Sequence, residues 1–371
     1  MVDPLTGFTI AITGDRRWEE QAEMLGRRGA TVMHGPVLQT SLLNDINATV
    51  SSTKEVTAAG VDFVVLTTGI GTRSWFGAAE SSGLDLALRE SCAGAVVLAR
   101  GLKARSAGTY CGLKVDWHAV GETGDEVIQH LQDLGVMGKR IAVQRDGGDP
   151  RLAEQLRSLG ARVIDVPVYR CGVPADPGPA LRLIDAVVGD RVDAVTFTCR
   201  YAVGSAFALA PDPAALTAAL GRRARAVAVG PLTASALRER GVLQVIEPQR
   251  TRLGSMVQSL IGELTASTLN LHHEHRSALL QGSALIHDDG STSTLTTGER
   301  RLLVTLLDQS PSVVAKADLA PEGSDPHAAE AAIGRLRSKL GPIGPGIRAV
   351  PRRGYTSSLR VEPAGQTIAG S

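Results

Sequence analysis

The chain has 371 residues, of which 43% are hydrophobic and 21% charged, so it predicts two or three ordinary cores and excludes global disorder. Aromatics make up only 3%, so Ala, Val and Leu must fill those cores. With 39 basic and 38 acidic side chains the net charge is +1, which excludes a partner recognised by overall charge; any nucleic-acid site must come from local clustering.

In chain order, β-branched runs at Phe8–Thr13, Thr31–His34, Phe63–Leu66 and Ala95–Leu98 predict strands. Apolar positions at helical spacing predict helices over Trp18–Arg28 and Asp149–Leu159. The order repeats. Leu5–Thr13 resembles Val136–Gln144, Arg28–Val32 resembles Leu159–Val163, and Val61–Val64 resembles Val192–Val195, each 131 positions apart. Two copies of one strand–helix unit imply parallel sheets covered on both faces. Ligands of such folds sit at the carboxyl ends of the strands. The loops there hold Thr67, Thr68, Arg100, Lys103, Arg145, Thr198, Cys199 and Arg200. Threonine, arginine and helix N-termini suit an anionic ligand. Gly69-Ile70-Gly71 lacks the third glycine of a dinucleotide fingerprint and reads as a tight turn.

Residues 266–281, with His272, His273 and His275, read as a polar linker. Beyond it, alternation over Leu280–Leu295 predicts a hairpin turning at Asp288-Asp289-Gly290. A helix opens at Leu295–Glu299, a short one follows at Lys316–Leu319, and a third runs from Pro326 to Leu340. Ala329, Ile333, Leu336 and Leu340 share the inward face of the third. A second hairpin follows, with Arg352-Arg353-Gly354 at its tip. Residues 331–360 carry seven basic and no acidic side chains, whereas residues 1–269 carry 28 of each sign. A local basic helix and hairpin tip point to nucleic acid.

The run Val229-Gly230-Pro231-Leu232-Thr233 through Gly241, with Val61-Asp62-x-Val64 and the Pro-Val pairs, resembles uroporphyrinogen-III synthase over residues 5–265. That resemblance implies an α/β fold of two flavodoxin-like parallel-sheet lobes joined by a two-stranded ladder near Pro36–Thr40 and Pro167–Cys171. Lobe one would be 1–38 plus 170–265, and lobe two 42–166. It implies closure of a linear tetrapyrrole carrying eight carboxylates, with no cofactor, and it places catalytic roles on Tyr169 and Thr233. The sequence departs from the family at Thr68, Cys199 and Gly14, which opposes catalysis and favours ligand sensing.

Leu295-Thr296-x-x-Glu299-x-x-Leu302-Leu303, Ile333–Leu340 and Arg353-Gly354-Tyr355 resemble the winged-helix effector of two-component response regulators. That resemblance covers 282–361, leaves 362–371 as a tail, and implies DNA contacts from Arg335, Arg337, Lys339, Arg352, Arg353 and Tyr355. The pairing resembles actinobacterial regulators of nitrate and nitrite assimilation. The expectation is a homodimeric transcription regulator that binds promoter DNA and an anionic tetrapyrrole or other polycarboxylate. The alternative is an active synthase carrying a regulatory DNA-binding domain.

No apolar run reaches the ~18–20 residues of a membrane span, and Met1–Gly7 lacks a signal-peptide layout, so a cytoplasmic, membrane-free protein is expected. Cys92, Cys111, Cys171 and Cys199 have no metal-ligand spacing, and no metal is expected.

Overall fold

Short segments of two to six residues, many of them β-branched, set the strands of this protein, and helices lie between the strands of the two parallel sheets. The computed structural model describes residues 2–42, 46–145, 147, 150–319 and 326–364. The chain divides into two units, Met1–Val37 with Pro174–Ser371, and Leu38–Val173. It begins with β1 (Thr9–Ile12) and β2 (Thr31–His34), then enters the second unit through β3 (Gln39–Leu42). There it builds β4 (Phe63–Leu66), β5 (Val96–Ala99), β6 (Trp117–His118), β7 (Arg140–Arg145) and β8 (Arg162–Pro167), and leaves through β9 (Tyr169–Gly172). It completes the first sheet with β10 (Ala194–Phe197), β11 (Arg225–Ala228) and β12 (Val245–Ile246).

Lobe one has strand order β12-β11-β10-β1-β2 and lobe two has β6-β5-β4-β7-β8, every pair parallel. The orders correspond strand for strand. The register matches too: Ile10 lies beside Ala194, and the repeat-equivalent Ile141 lies beside Phe63. Ile10, Ala11 and Ile12 are all buried, as helices on both faces require. The joining strands pair antiparallel from Gln39↔Gly172 to Leu42↔Tyr169, slightly later in the chain than their expected positions.

The region after 265 corrects one expectation. Residues 266–281 are not a linker. Leu269–His273 (β13) and Arg276–Gln281 (β14) form an antiparallel hairpin. Alternation explains it: Leu271, Ala278 and Leu280 are buried while the histidines between them are not. The hairpin continues into β15 (Ala284–His287) and β16 (Thr292–Thr294). Three helices follow, Thr297–Asp308, Lys316–Leu319 and Pro326–Leu340. Then β17 (Ile347–Val350) and β18 (Gly354–Ser357) form a second hairpin, and β19 (Arg360–Pro363) returns to pair with β13. Leu271, Leu285, Leu303, Ile333, Leu336 and Leu340 share one core. No helix among the described residues is long and apolar enough to cross a membrane.

Candidate functional site

In lobe two the carboxyl end of the sheet is organised by Gln144, the fully buried fifth residue of β7. Its Oε1 accepts the Thr67 and Thr68 N–H groups, each at 3.0 Å, and the Thr67 hydroxyl at 3.2 Å. The Thr68 hydroxyl accepts the Gly71 N–H at 3.2 Å and caps the helix Gly69–Ser81. Both threonines expected to meet a ligand are therefore engaged in holding their own turn. Gly69 and Gly71 serve close packing: a Cβ at Gly69 would lie 2.8 Å from the Lys103 carbonyl, and one at Gly71 2.8 Å from Val168 Cγ2. In the next loop the Leu102 N–H donates to Glu122 Oε1 at 3.3 Å, so a carboxylate already stands at the start of the helix Leu102–Tyr110. Arg100 and Arg145 are half-buried at strand ends, and Lys103 is exposed.

Lobe one closes the same end differently. Thr13 Oγ1 donates to the Thr196 carbonyl at 2.7 Å, and Thr196 Oγ1 donates to the Ala11 carbonyl at 3.1 Å, fastening β1 to β10. Gln21 Nε2 donates to Thr196 Oγ1 at 2.8 Å. Thr198, Cys199 and Arg200 are half-buried at the end of β10. Gly14 lies against Thr198, where a Cβ would sit 3.0 Å from its Oγ1. The helices Arg200–Leu209, Pro231–Arg238 and Leu253–Ala266 begin at Cys199, Gly230 and Arg252, and none has a capping side-chain hydrogen bond. Their first N–H groups keep the partial positive charge of a helix start. His34, which the sequence reading passed over, ends β2. It stacks on Trp18 with ring centroids 4.0 Å apart and bonds the Gly14 carbonyl through Nε2 at 2.9 Å. A polar aromatic closing a strand beside a glycine-led loop was the available signal.

The basic C-terminal residues separate into two groups. Arg337 donates to the Ile347 carbonyl through Nε at 2.9 Å and NH2 at 2.6 Å, and its guanidinium lies 5.7 Å from the centre of the Tyr355 ring. Lys339 Nζ donates to the Thr294 carbonyl and to Glu299 Oε2, both at 2.7 Å. Burial opposes ionisation of Glu299, but Lys339 and the Thr296 N–H and hydroxyl outweigh it and hold the carboxyl below its ordinary range. Tyr355 is buried. The structure thus ties Arg337, Lys339 and Tyr355 to the fold through these contacts. Arg335, Arg352 and Arg353 are exposed, and so is Arg348, which the sequence reading left out.

Comparison with known proteins adds the family. A profile described as uroporphyrinogen-III synthase HemD matches residues 19–258. The chain belongs to the uroporphyrinogen-III synthase HemD family. An uncharacterised Bacillus subtilis (strain 168) protein, YjjA, is 30% identical over 260 residues, covering 69% of this chain and 96% of its own length. A putative uroporphyrinogen-III synthase of Methanothermobacter thermautotrophicus is 33% identical over 174 residues, 47% of this chain and 67% of that protein. A mutant uroporphyrinogen III synthase from the extremely thermophilic bacterium Thermus thermophilus has a structure matching 68% of this chain and 97% of its own. It does so at 33% identity and a TM-score of 0.59.

Within the HemD domain, Tyr169 opens β9 and is buried in the lobe-two core, 8% exposed. Thr233 is the third residue of the helix Pro231–Arg238 and is buried. Gly230 packs closely on Thr251, whose Oγ1 would lie 2.7 Å from an added Cβ. Burial pushes the Cys92 thiol of lobe two up to about 12, which keeps it a neutral core residue at physiological pH. Among the described residues no group of His, Cys, Asp and Glu could hold a metal ion.

Proposed function

We propose that this protein is a DNA-binding transcription regulator whose HemD domain binds an anionic tetrapyrrole or similar polycarboxylate. One observation carries the reading: beyond residue 258 the chain adds a separately cored module whose exposed cations, Arg335, Arg348, Arg352 and Arg353, lie on its third helix and following hairpin. The element order, an antiparallel sheet, three helices and a hairpin, supports a winged helix with Pro326–Leu340 in the major groove and the hairpin at the flanking groove. The helix starts at Pro231 and Leu253 in lobe one favour carboxylate binding there. The targets, by the domain pairing, are nitrogen-assimilation genes, and the regulator acts as a dimer.

Selection of bound fragments from sheared genomic DNA tests this reading, with wild type beside Arg335→Ala/Arg352→Ala/Arg353→Ala. Recovery of a few discrete intergenic sites by wild type alone supports it. Uniform recovery, or equal recovery by both proteins, refutes it.

A second reading, an active synthase, draws on the family membership and on Tyr169 and Thr233. Turnover of hydroxymethylbilane decides it: uroporphyrinogen III made by wild type and lost in Tyr169→Phe favours a synthase. The I isomer alone, which forms without an enzyme, favours a sensor.

A further inference from the structure

The two lobes differ at the amino ends of their strands, and the difference identifies an interaction surface. In lobe two Asp62 precedes β4 and bridges to the start of β7. Its Oδ2 accepts the Arg140 N–H at 2.8 Å, and its Oδ1 accepts Lys139 Nζ at 2.9 Å. Lobe one keeps the first half of this device. Asp193, the repeat equivalent of Asp62, accepts the Thr9 N–H through Oδ2 at 2.7 Å. The second half is missing, because the position equivalent to Lys139 is Phe8, which is buried in the lobe-one core. The cation comes instead from the C-terminal module: Arg300, on the helix Thr297–Asp308, bonds Asp193 Oδ1. The Asp62 side chain is 38% exposed and that of Asp193 only 6%. Water can compensate the first and not the second.

A second, independent contrast lies in the preceding turn. Gly7 and Gly138 are repeat equivalents, with φ of 80° and 74°. Around Gly138 an added Cβ would meet nothing within 4 Å. At Gly7 it would collide with the Gln281 carbonyl and lie 2.6 Å from the Ala284 N. The module's turn is built to the same closeness, since a Cβ at Gly282 would collide with the Gly7 carbonyl. That carbonyl accepts the Ser283 N–H at 2.8 Å and the Ser283 hydroxyl at 2.9 Å. Gln281 Nε2 donates to the carbonyls of Asp3 at 2.9 Å and Thr6 at 3.0 Å.

We infer that the base of lobe one is a dedicated docking surface for this chain's own C-terminal module, and that the two form one cooperative unit. Among the described residues, the Asp62 carboxylate of lobe two takes its partners from lobe two itself. In lobe one, Asp193, the Gly7 carbonyl and the Asp3–Thr6 carbonyls all take partners from residues 281–300. The seam holds the amino ends of the two strands that Thr13 and Thr196 fasten at the far end, since Asp193 and Thr9 stand at their starts. The module is therefore carried at a set orientation on the strands that present the candidate ligand loops. This conclusion is independent of what the module binds.

Hydrogen exchange on the full chain tests it, with wild type, Arg300→Ala, Arg300→Lys and Asp193→Asn/Arg300→Ala. The inference predicts that Arg300→Ala loses at least tenfold protection in β1, β10 and β14 together, while β4 and β7 of lobe two stay as in wild type. Its unfolding midpoint should fall by at least about 3 °C. Adding Asp193→Asn removes the unpaired buried charge and should recover most of the protection in β1 and β10. Arg300→Lys should lie close to wild type. Exchange in lobe one unchanged by Arg300→Ala would overturn the inference. So would loss confined to the module, or loss shared equally by lobe two.

Discussion

At the carboxyl ends of its strands, lobe two fills its turns with its own side chains: Gln144 takes the Thr67 and Thr68 amides, Thr68 caps a helix and Glu122 takes the Leu102 amide. In lobe one the corresponding fastening runs between strands, where Thr13 and Thr196 tie β1 to β10 and Gln21 holds Thr196. At the amino ends the lobes differ in the source of a cation, since Lys139 completes Asp62 from within lobe two while Arg300 completes Asp193 from the module. One duplicated scaffold has thus been turned to two uses. Lobe two completes its amino-end pairing from its own residues, and lobe one takes partners for Asp193 and the Gly7 carbonyl from the C-terminal module. Duplication allows this because each sheet carries its own core, so surface positions in one copy change without disturbing the other.

The largest difference between the lobes should appear at the equivalent glycines. Gly7→Ala meets both left-handed strain and the module backbone, and should cost roughly 3–5 kcal/mol. Gly138→Ala meets the strain alone, at about 1–2 kcal/mol. Urea unfolding midpoints read both, and equal losses would remove the argument for a lobe-one seam.

Gln144→Ala leaves the buried Thr67 N–H and the part-buried Thr68 N–H without their acceptor, and should cost about 3 kcal/mol. Gln21→Ala in lobe one removes one side-chain bond and should cost about 1 kcal/mol. A thermal shift series checks the order, which fails if the lobe-one change is the larger.

How far the sequence carried this picture varies by element. Thr31–His34 and Phe63–Leu66 were legible to the residue, because β-branched runs between turn residues leave few other conformations. The constant offset made the duplicated sheet legible as well. The hairpin over 269–281 is less legible because His272, His273 and Glu274 give the segment a polar character, although Leu269, Leu271, Ala278 and Leu280 alternate with other residues along its two strands. The site was less legible than the fold. Arg337 and Lys339 find partners 10 and 40 positions away, and Gln144 reaches 77 positions back to Thr67. Sequence spacing carries no record of such pairings, so a basic residue on a helix reads alike whether it faces DNA or a carbonyl.

Smaller effects should separate the lobes further. Thr123→Ala removes the capping box of the helix Gly124–Leu134, and should cost about 1 kcal/mol in lobe two alone. Calorimetry of that variant should leave the lobe-one and module transition in place. The smallest effect concerns pH. The Arg140 N–H, then Lys139, hold the Asp62 carboxyl below its ordinary range. Its stabilisation is therefore full at neutral pH and fades as pH falls through the folded value. Asp62→Asn should flatten the acid limb of lobe-two unfolding slightly, because the group is partly exposed and screened. A steeper limb in the variant would contradict the assignment.

The most direct test of the regulator reading is the salt dependence of affinity for selected promoter DNA. It compares wild type, Arg335→Ala/Arg352→Ala/Arg353→Ala and Lys339→Ala. Each lost phosphate contact should lower the log–log slope by about 0.9, so the triple variant should bind more weakly and lose about 2–3 in slope. Lys339→Ala should keep the wild-type slope at a temperature where it remains folded, since its ammonium is held by Glu299 and Thr294. A wild-type protein that does not bind, or a triple variant with an unchanged slope, would contradict the account.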